Sequence, residues 1–114
     1  MCILCICVCY RLLGNITSVT IHYNKEHQLI MCLSEGGPAT AVAWSLSNNM
    51  ISTESEEYET SQSIIDTTSA LYENRLRIIN KTSAVAGVYR CVVSNPMGSR
   101  YAELDIQGNL RPWI

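Results

Sequence analysis

Apolar and polar side chains alternate with a period of two residues along most of this chain. Successive side chains of a β-strand point to opposite faces, so each alternating run predicts a strand with one buried face. These runs are separated by short segments rich in glycine, asparagine and serine, which are typical of turns. The pattern predicts an all-β protein with strands over residues 18–23, 27–33, 40–46, 70–79, 87–94 and 99–106.

Three of the predicted strands carry side chains that are typical of a buried interface between two sheets. Cys32 lies in the second strand, Trp44 in the third, and Tyr89 and Cys91 in the strand that begins at Gly87. Residues two apart share a face of a strand, so Tyr89 and Cys91 point the same way. This order of cysteine, tryptophan and Tyr-x-Cys resembles that of an immunoglobulin-like domain.

The resemblance covers about residues 17–107 and favours the intermediate-set (I-set) type. The Leu-x-Ile run at 76–78 resembles strand E of the family, and residues 91–98 have the cysteine, asparagine and glycine spacing of its F–G hairpin. One position departs from the family, because Val85 stands where an aspartate is usual, and this leaves the subtype open.

The fold that the resemblance implies is a β-sandwich of two antiparallel sheets with Greek-key connections. It implies a disulfide between Cys32 and Cys91 that joins the two sheets, and a tyrosine-corner hydrogen bond from Tyr89 to the backbone a few residues upstream. It also implies a core that contains Trp44, Leu76, Ile78 and Tyr89.

The first residues, MCILCICVCYRLL, differ from the rest of the chain. The apolar span from Cys2 to Tyr10 is shorter than the roughly 20 residues that cross a bilayer, so we predict no membrane insertion by this segment. We interpret residues 1–14 as a divergent signal peptide, although no basic residue precedes the apolar span. A fragment boundary or an incorrect gene model is the alternative. We assign residues 15–107 to the domain and 108–114 to an exit segment or linker.

The four cysteines of that segment also raise the hypothesis of a metal site. Their Cys-x-x-Cys-x-Cys-x-Cys spacing has only apolar spacers, whereas turns that carry metal ligands normally contain glycine or polar residues. We therefore predict no bound metal. The acidic residues between 54 and 59 are interpreted as the solvated edge of a sheet, whose charges prevent association with another sheet. A calcium-binding edge and a partner-binding edge are the alternatives, but calcium requires oxygens that converge on one point.

Two sequons, Asn15-Ile16-Thr17 and Asn80-Lys81-Thr82, lie at the ends of predicted strands. We expect glycosylation at Asn15 and Asn80, with a chance occurrence of the motif as the alternative. If Cys32 and Cys91 pair, the domain matured in an oxidising compartment. Both expectations favour an extracellular protein.

Composition and motifs exclude several classes of function. The formal net charge is −2 and basic residues do not cluster, so we expect no nucleic-acid binding. Only His22 and His27 can serve as imidazole bases, and no nucleophile elbow or glycine-rich phosphate loop is present. We predict that the protein is not an enzyme and has no cofactor.

Strand alternation also assigns an outward face. It places Val88, Arg90 and Val92 on the outside of their strand, where a solvated sheet would carry mainly polar residues. We interpret these three residues as a protein-binding face. An apolar set on the strand of Cys32, namely Leu29, Met31 and Leu33, is also predicted to point outward, unless the N-terminal strand covers it or the register is off by one residue.

The sequence thus predicts an extracellular module for protein recognition or cell adhesion, in a larger cell-surface or secreted protein with neighbouring immunoglobulin-like or fibronectin-type domains. This step rests on the family resemblance, because fold alone does not determine function. Two alternatives remain. One is a structural spacer in a multi-domain receptor or matrix protein. The other is an intracellular, muscle-type module with reduced cysteines and unused sequons.

Overall fold

The computed structural model describes residues 14–52, 56–79 and 86–107. Several of the sequence predictions lie outside these residues: the segment 1–13 with its four cysteines, Asn80, Val85 and the exit segment 108–114. The described residues form the strands β1 (Ser18–Asn24), β2 (Leu29–Glu35), β3 (Ala41–Leu46), β4 (Asn49–Met50), β5 (Tyr58–Asp66), β6 (Leu71–Ile78), β7 (Gly87–Asn95) and β8 (Gly98–Ile106).

The strands form two sheets, and every pairing is antiparallel. The first sheet has the order β1-β2-β6-β5, and the second has the order β4-β3-β7-β8. The chain crosses from one sheet to the other after β2, β4 and β6, so strands that are neighbours in a sheet are often distant in sequence. The predicted fold class, an all-β sandwich of two antiparallel sheets, is confirmed.

The core lies between the two sheets and is centred on the disulfide. Cys32 of β2 is bonded to Cys91 of β7, across a sequence separation of 59 residues and a Cα–Cα distance of 6.4 Å. Trp44 of β3 is the register partner of Cys91 and is 2% exposed, so the indole and the disulfide belong to one buried cluster. The predicted disulfide between the sheets is confirmed.

The remaining residues that the sequence assigns to the core are also buried. Leu76 and Tyr89 are completely inaccessible, and Ile78 is almost so. Residues 80–85, a few positions upstream of Tyr89 where the tyrosine-corner hydrogen bond is predicted, lie outside the described part of the chain. Burial of aromatic and branched side chains of this kind contributes about 1.5–3 kcal/mol for each residue.

The turn after β3 differs from the prediction by one residue. The sequence places it at Asn48-Asn49, whereas Ser47 and Asn48 occupy the turn with φ values of 49° and 71°. A tight two-residue hairpin of type I′ requires positive φ at both central residues. Asn49 is therefore free to begin the short strand β4, and the Ser47 amide donates a hydrogen bond to the Val88 carbonyl at 2.8 Å.

Gly87 and Gly98 form a matched pair for testing how closely β7 approaches its surroundings. Both have positive φ, 144° and 146°, so an alanine at either position carries a similar backbone strain. A Cβ atom at Gly87 would lie 2.6 Å from Ser47 Oγ and 2.9 Å from Leu46 Cδ1, whereas a Cβ at Gly98 would have no neighbour within 4 Å.

We predict that Gly87→Ala lowers the free energy of unfolding by about 1 kcal/mol or more beyond the loss caused by Gly98→Ala, because only the first substitution adds overpacking. Urea unfolding of the two variants and the parent chain measures the difference. Equal losses for the two variants would contradict the close approach of β7 to the end of β3.

Candidate binding face

The side chains that point outward from β7 lie on the outer face of the second sheet. β7 is an interior strand, with β3 on one side and β8 on the other. Its inward residues are fully buried, so the intervening residues Val88, Arg90 and Val92 face away from the core. The structure thus places the three residues of the predicted partner face side by side on one surface. Their register partners on β3 and β8 complete this surface, which we call the β7 face: Val88, Arg90, Val92, Ala43, Ser45, Tyr101, Glu103 and Asp105.

Arg90 is held in place by two neighbours on β8. Its Nε donates a hydrogen bond to Glu103 Oε2 at 2.8 Å, and its Nη2 donates to the same oxygen. The guanidinium carbon lies 4.6 Å from the centroid of the Tyr101 ring, within range of a cation–π interaction. The Arg90 and Glu103 side chains are 37% and 41% exposed, so the ion pair remains accessible to a partner.

Apolar groups surround this charged centre. Val92 is half-buried between the small Ala43 on β3 and the large Tyr101 on β8. Tyr101 is 58% exposed, and Met50, the register partner of Ser45 at the β4 edge, is 71% exposed. Small residues on β3 leave a shallow surface beside a raised aromatic ring. An arginine next to an exposed tyrosine is a combination that is enriched at the centres of protein interfaces.

The outer face of the first sheet is different in character. Leu29, Met31 and Leu33 do point outward from β2, since the alternate residues Ile30 and Cys32 are buried, but all three are only half-exposed. Their partners on β1 are polar, and those on β6 are charged: Thr20, His22, Asn24, Glu73, Arg75 and Arg77. This apolar stripe is therefore interrupted on both sides, unlike the β7 face.

The first sheet also contains an ion pair that resembles the one on the β7 face. Arg75 Nε donates to Glu73 Oε1 at 2.9 Å, and Nη2 lies 2.8 Å from the same oxygen. Glu73 and Arg75 are two residues apart on β6 and so share its outer face. Arg75 is thus a natural control for Arg90, with the same chemistry on the opposite side of the sandwich.

The loop at one end of the β7 face is fixed by Asn95. Its side-chain Nδ2 donates to the carbonyls of Gly14 and Pro38, at 2.9 and 3.1 Å, and its Oδ1 accepts from the Met97 amide at 2.8 Å. Arg100 Nε further donates to the Ile16 carbonyl at 2.8 Å. These bonds anchor the turn between β7 and β8 to the segment before β1 and to the loop between β2 and β3.

Of the two predicted glycosylation sites, one lies among the described residues. Asn15 is exposed, and the hydroxyl of Thr17 in the same sequon donates to the Glu35 carbonyl at 3.1 Å. Asn80 lies outside the described residues. Whether either asparagine carries a glycan stays a prediction.

The described residues contain neither a metal cluster nor a helix that could span a membrane. Within 14–52, 56–79 and 86–107, no three side chains among histidine, cysteine, aspartate and glutamate converge as metal ligands would. No helix in that part of the chain has the length and apolarity needed to cross a membrane.

Sequence reasoning missed Tyr101 and Glu103, which hold Arg90 in place. The signal that identifies them is the turn between β7 and β8, because a two-residue hairpin turn at Pro96-Met97 pairs Asn95 with Gly98. Counting back along both strands then places Arg90 opposite Glu103, and Val92 opposite Tyr101.

We predict a small coupling between Arg90 and Glu103. A double-mutant cycle with Arg90→Ala and Glu103→Ala should give a coupling energy of about 0.5–1 kcal/mol at low salt, because exposed ion pairs are weak, and the coupling should decrease as salt screens the charges. Chemical denaturation of the four proteins at two salt concentrations measures it. A coupling that does not change with salt would contradict an ion pair at this position.

Comparison with known proteins gives the family. No curated protein matches the chain. Among solved structures, the titin M4 trigonal form is 19% identical, with a TM-score of 0.49 over 82% of this chain and 95% of that one. Two Dscam1 Ig7 structures, isoforms 5 and 9, are each 14% identical. Isoform 5 has a TM-score of 0.49 over 82% of this chain and 94% of its own, and isoform 9 has 0.45 over 80% and 99%. The immunoglobulin I-set domain model matches residues 11–107, and the chain belongs to this family.

Proposed function

We propose that this domain is an extracellular module for protein recognition that binds its partner through the β7 face. The observation that carries the proposal is Arg90, an accessible cation that Glu103 and Tyr101 hold in one position at the centre of a partly apolar surface. The work of the domain is binding by surface complementarity, and it catalyses no reaction.

The geometry of the β7 face favours binding for two physical reasons. Arg90 is already ordered by its neighbours, so a partner loses less side-chain entropy when it contacts the guanidinium. The exposed apolar groups Val88, Met50 and Tyr101 lie around the charge and can exclude water from it. The partner is therefore expected to present a carboxylate or a carbonyl towards Arg90, with apolar groups around it.

The extracellular location is supported by the chemistry of the disulfide. Disulfides persist in oxidising compartments and are rare in the cytosol. Cys32 and Cys91 are bonded and fully buried, and the exposed Asn15 belongs to a sequon. We place the domain in a larger cell-surface or secreted protein beside other immunoglobulin-like or fibronectin-type domains. The partner protein is a second copy or a different protein.

We predict that reversal of the central charge abolishes binding. The domain, displayed as a multimer on fluorescent beads, is applied to a panel of cell types, and bound beads are counted. Arg90→Glu should reduce bead binding at least tenfold, because it places an unpaired carboxylate beside Glu103 and removes the contact with Tyr101. Arg75→Glu on the opposite sheet, which also breaks an ion pair, should leave binding unchanged.

Three results would contradict this proposal. Equal losses for the two variants would indicate a general electrostatic effect rather than a specific face. Binding that survives Arg90→Glu would exclude the β7 face as the contact. A parent domain that binds no cell type and no second copy would favour the structural spacer.

We predict that the chain is secreted from eukaryotic cells without its first residues, with the disulfide formed and with glycan on Asn15, Asn80 or both. Intact mass before and after glycosidase, and after denaturing reduction, reports all three properties. Asn15→Gln and Asn80→Gln, separately and together, assign the glycan. A chain that is retained in the cell, unglycosylated and with free Cys32 and Cys91, would instead indicate the intracellular muscle-type module.

A further inference from the structure

The outer edge of β5 offers backbone groups to a further strand. Among the described residues β5 pairs only with β6. The Ile79 amide donates to the Glu57 carbonyl at 3.0 Å, so Glu57 directs its backbone groups towards the neighbouring strand β6. Antiparallel pairs alternate between bonded and non-bonded, so Thr60, Gln62 and Ile64 direct their N–H and C=O groups away from β6.

A cleft lies next to this edge, where the sandwich is open between β5 and β3. It has a volume of ≈ 190 Å³, and Trp44 and Val42 form one wall and Thr60, Gln62 and Asn74 the other. The side chains of Thr60 and Gln62 lie on the inner face of β5, where an ordinary sandwich would carry apolar residues. This side of the core is therefore polar as well as open.

The amide of Asn74, at the inner end of the cleft, is only half satisfied. Asn74 is 4% exposed. Its Oδ1 accepts a hydrogen bond from Gln62 Nε2 at 2.9 Å, but its Nδ2 has no acceptor among the described residues. Gln62 Nε2 also donates to the Ala39 carbonyl at 3.1 Å, so turning the Gln62 amide over would set its oxygen against two acceptors. The unpaired buried donor is thus a consequence of the local network.

We propose that the β5 edge and this cleft form a second binding site, for an extended segment of a partner polypeptide that carries a glutamine. The segment adds to β5 as an antiparallel strand, in the manner of β-augmentation. Its glutamine, directly opposite Gln62, enters the cleft and displaces the Gln62 side chain. The incoming amide then accepts from Asn74 Nδ2 and donates to Asn74 Oδ1, so both halves of the buried amide are paired.

Distance and charge select this ligand. An added strand lies two strand spacings from β6, about 10 Å, which favours glutamine over the shorter asparagine. A carboxylate would accept from Asn74 Nδ2 but would face Oδ1 with a second acceptor. Glu57 and Glu59 are exposed at the beginning of β5, where the carboxyl end of an antiparallel segment would lie. Lysine or arginine at that end of the segment would therefore strengthen its binding. From Thr60 to Ile65 the edge carries no charge that would repel a strand.

The site is independent of the β7 face, which belongs to the other sheet, so either proposal can fail without the other. A synthetic probe tests it: a nine-residue peptide of alternating threonine and valine, with glutamine at the fourth position and two lysines at the carboxyl end. Binding to the full chain is followed by NMR titration. The control peptide carries methionine instead of glutamine and keeps the same length. We expect the glutamine peptide to bind at least about tenfold more tightly, since only it pairs the Asn74 amide.

Protein variants separate the edge from the cleft. Thr60→Pro removes an edge N–H without disturbing the bonds to β6, whereas Thr60→Val keeps that N–H, so only the proline should weaken binding of both peptides. Asn74→Leu should remove the preference for the glutamine peptide, and Gln62→Ala, which opens the cleft, should strengthen its binding. Thermal unfolding of each variant confirms that it is folded, and the comparison of the two peptides on the parent chain requires no variant.

The proposal is overturned if neither peptide binds at millimolar concentration, or if the two bind equally. It is also overturned if Thr60→Pro has no effect. A water molecule that pairs with Asn74 Nδ2 in the peptide-saturated protein would assign the amide a structural role only. Self-association of the chain that Thr60→Pro abolishes, without binding of the peptide, would make a second copy the occupant instead.

Discussion

The disulfide between Cys32 and Cys91 fixes the relation between the two sheets. It connects β2 to β7, an interior strand of each sheet, and its sulfur atoms lie in the fully buried cluster with Trp44. In the chain-entropy model, closing a loop of this length stabilises the fold by about 4 kcal/mol. Because side chains alternate on a strand, an inward Cys91 also requires that Arg90 and Val92 point outward. The same bond therefore sets the core and orients the β7 face.

Central and edge strands offer different chemistry to a partner. β7 is hydrogen-bonded on both sides, so only its side chains are available, and Arg90 is ordered by a neighbouring strand before any partner arrives. Among the described residues β5 pairs with β6 alone, so its other edge offers backbone groups, and Gln62 over the cleft leaves Asn74 Nδ2 without an acceptor there. A face of the first kind selects a partner by shape and charge. An edge of the second kind selects an extended chain and then discriminates by one inserted side chain.

The sequence predicts those features that depend on local alternation. Burial of Cys32 and Cys91, and the outward direction of Arg90, follow from a period of two, and the disulfide places the two strands face to face. The prediction for the turn after β3 is off by one residue, because nothing in the sequence indicates that Ser47 adopts a positive φ. The network of Gln62, Asn74 and Ala39 could not be predicted, since it joins three segments that only the folded chain brings together.

Asn74 is a polar residue at an inward position of the sandwich, where apolar residues are usual. Its unpaired amide lowers the stability of the fold, so its presence requires an explanation. A buried donor without an acceptor costs about 1–3 kcal/mol, a large fraction of the stability of a domain of this size. Leucine has the same branched arrangement of heavy atoms without a polar group, so it would leave no unpaired donor. Places where a sequence departs from local rules without compensation are often functional. Gln62 Nε2 donates to both the Ala39 carbonyl and Asn74 Oδ1, so the Gln62 amide does not accept from Asn74 Nδ2. The unpaired group thus points to a ligand that completes the pair.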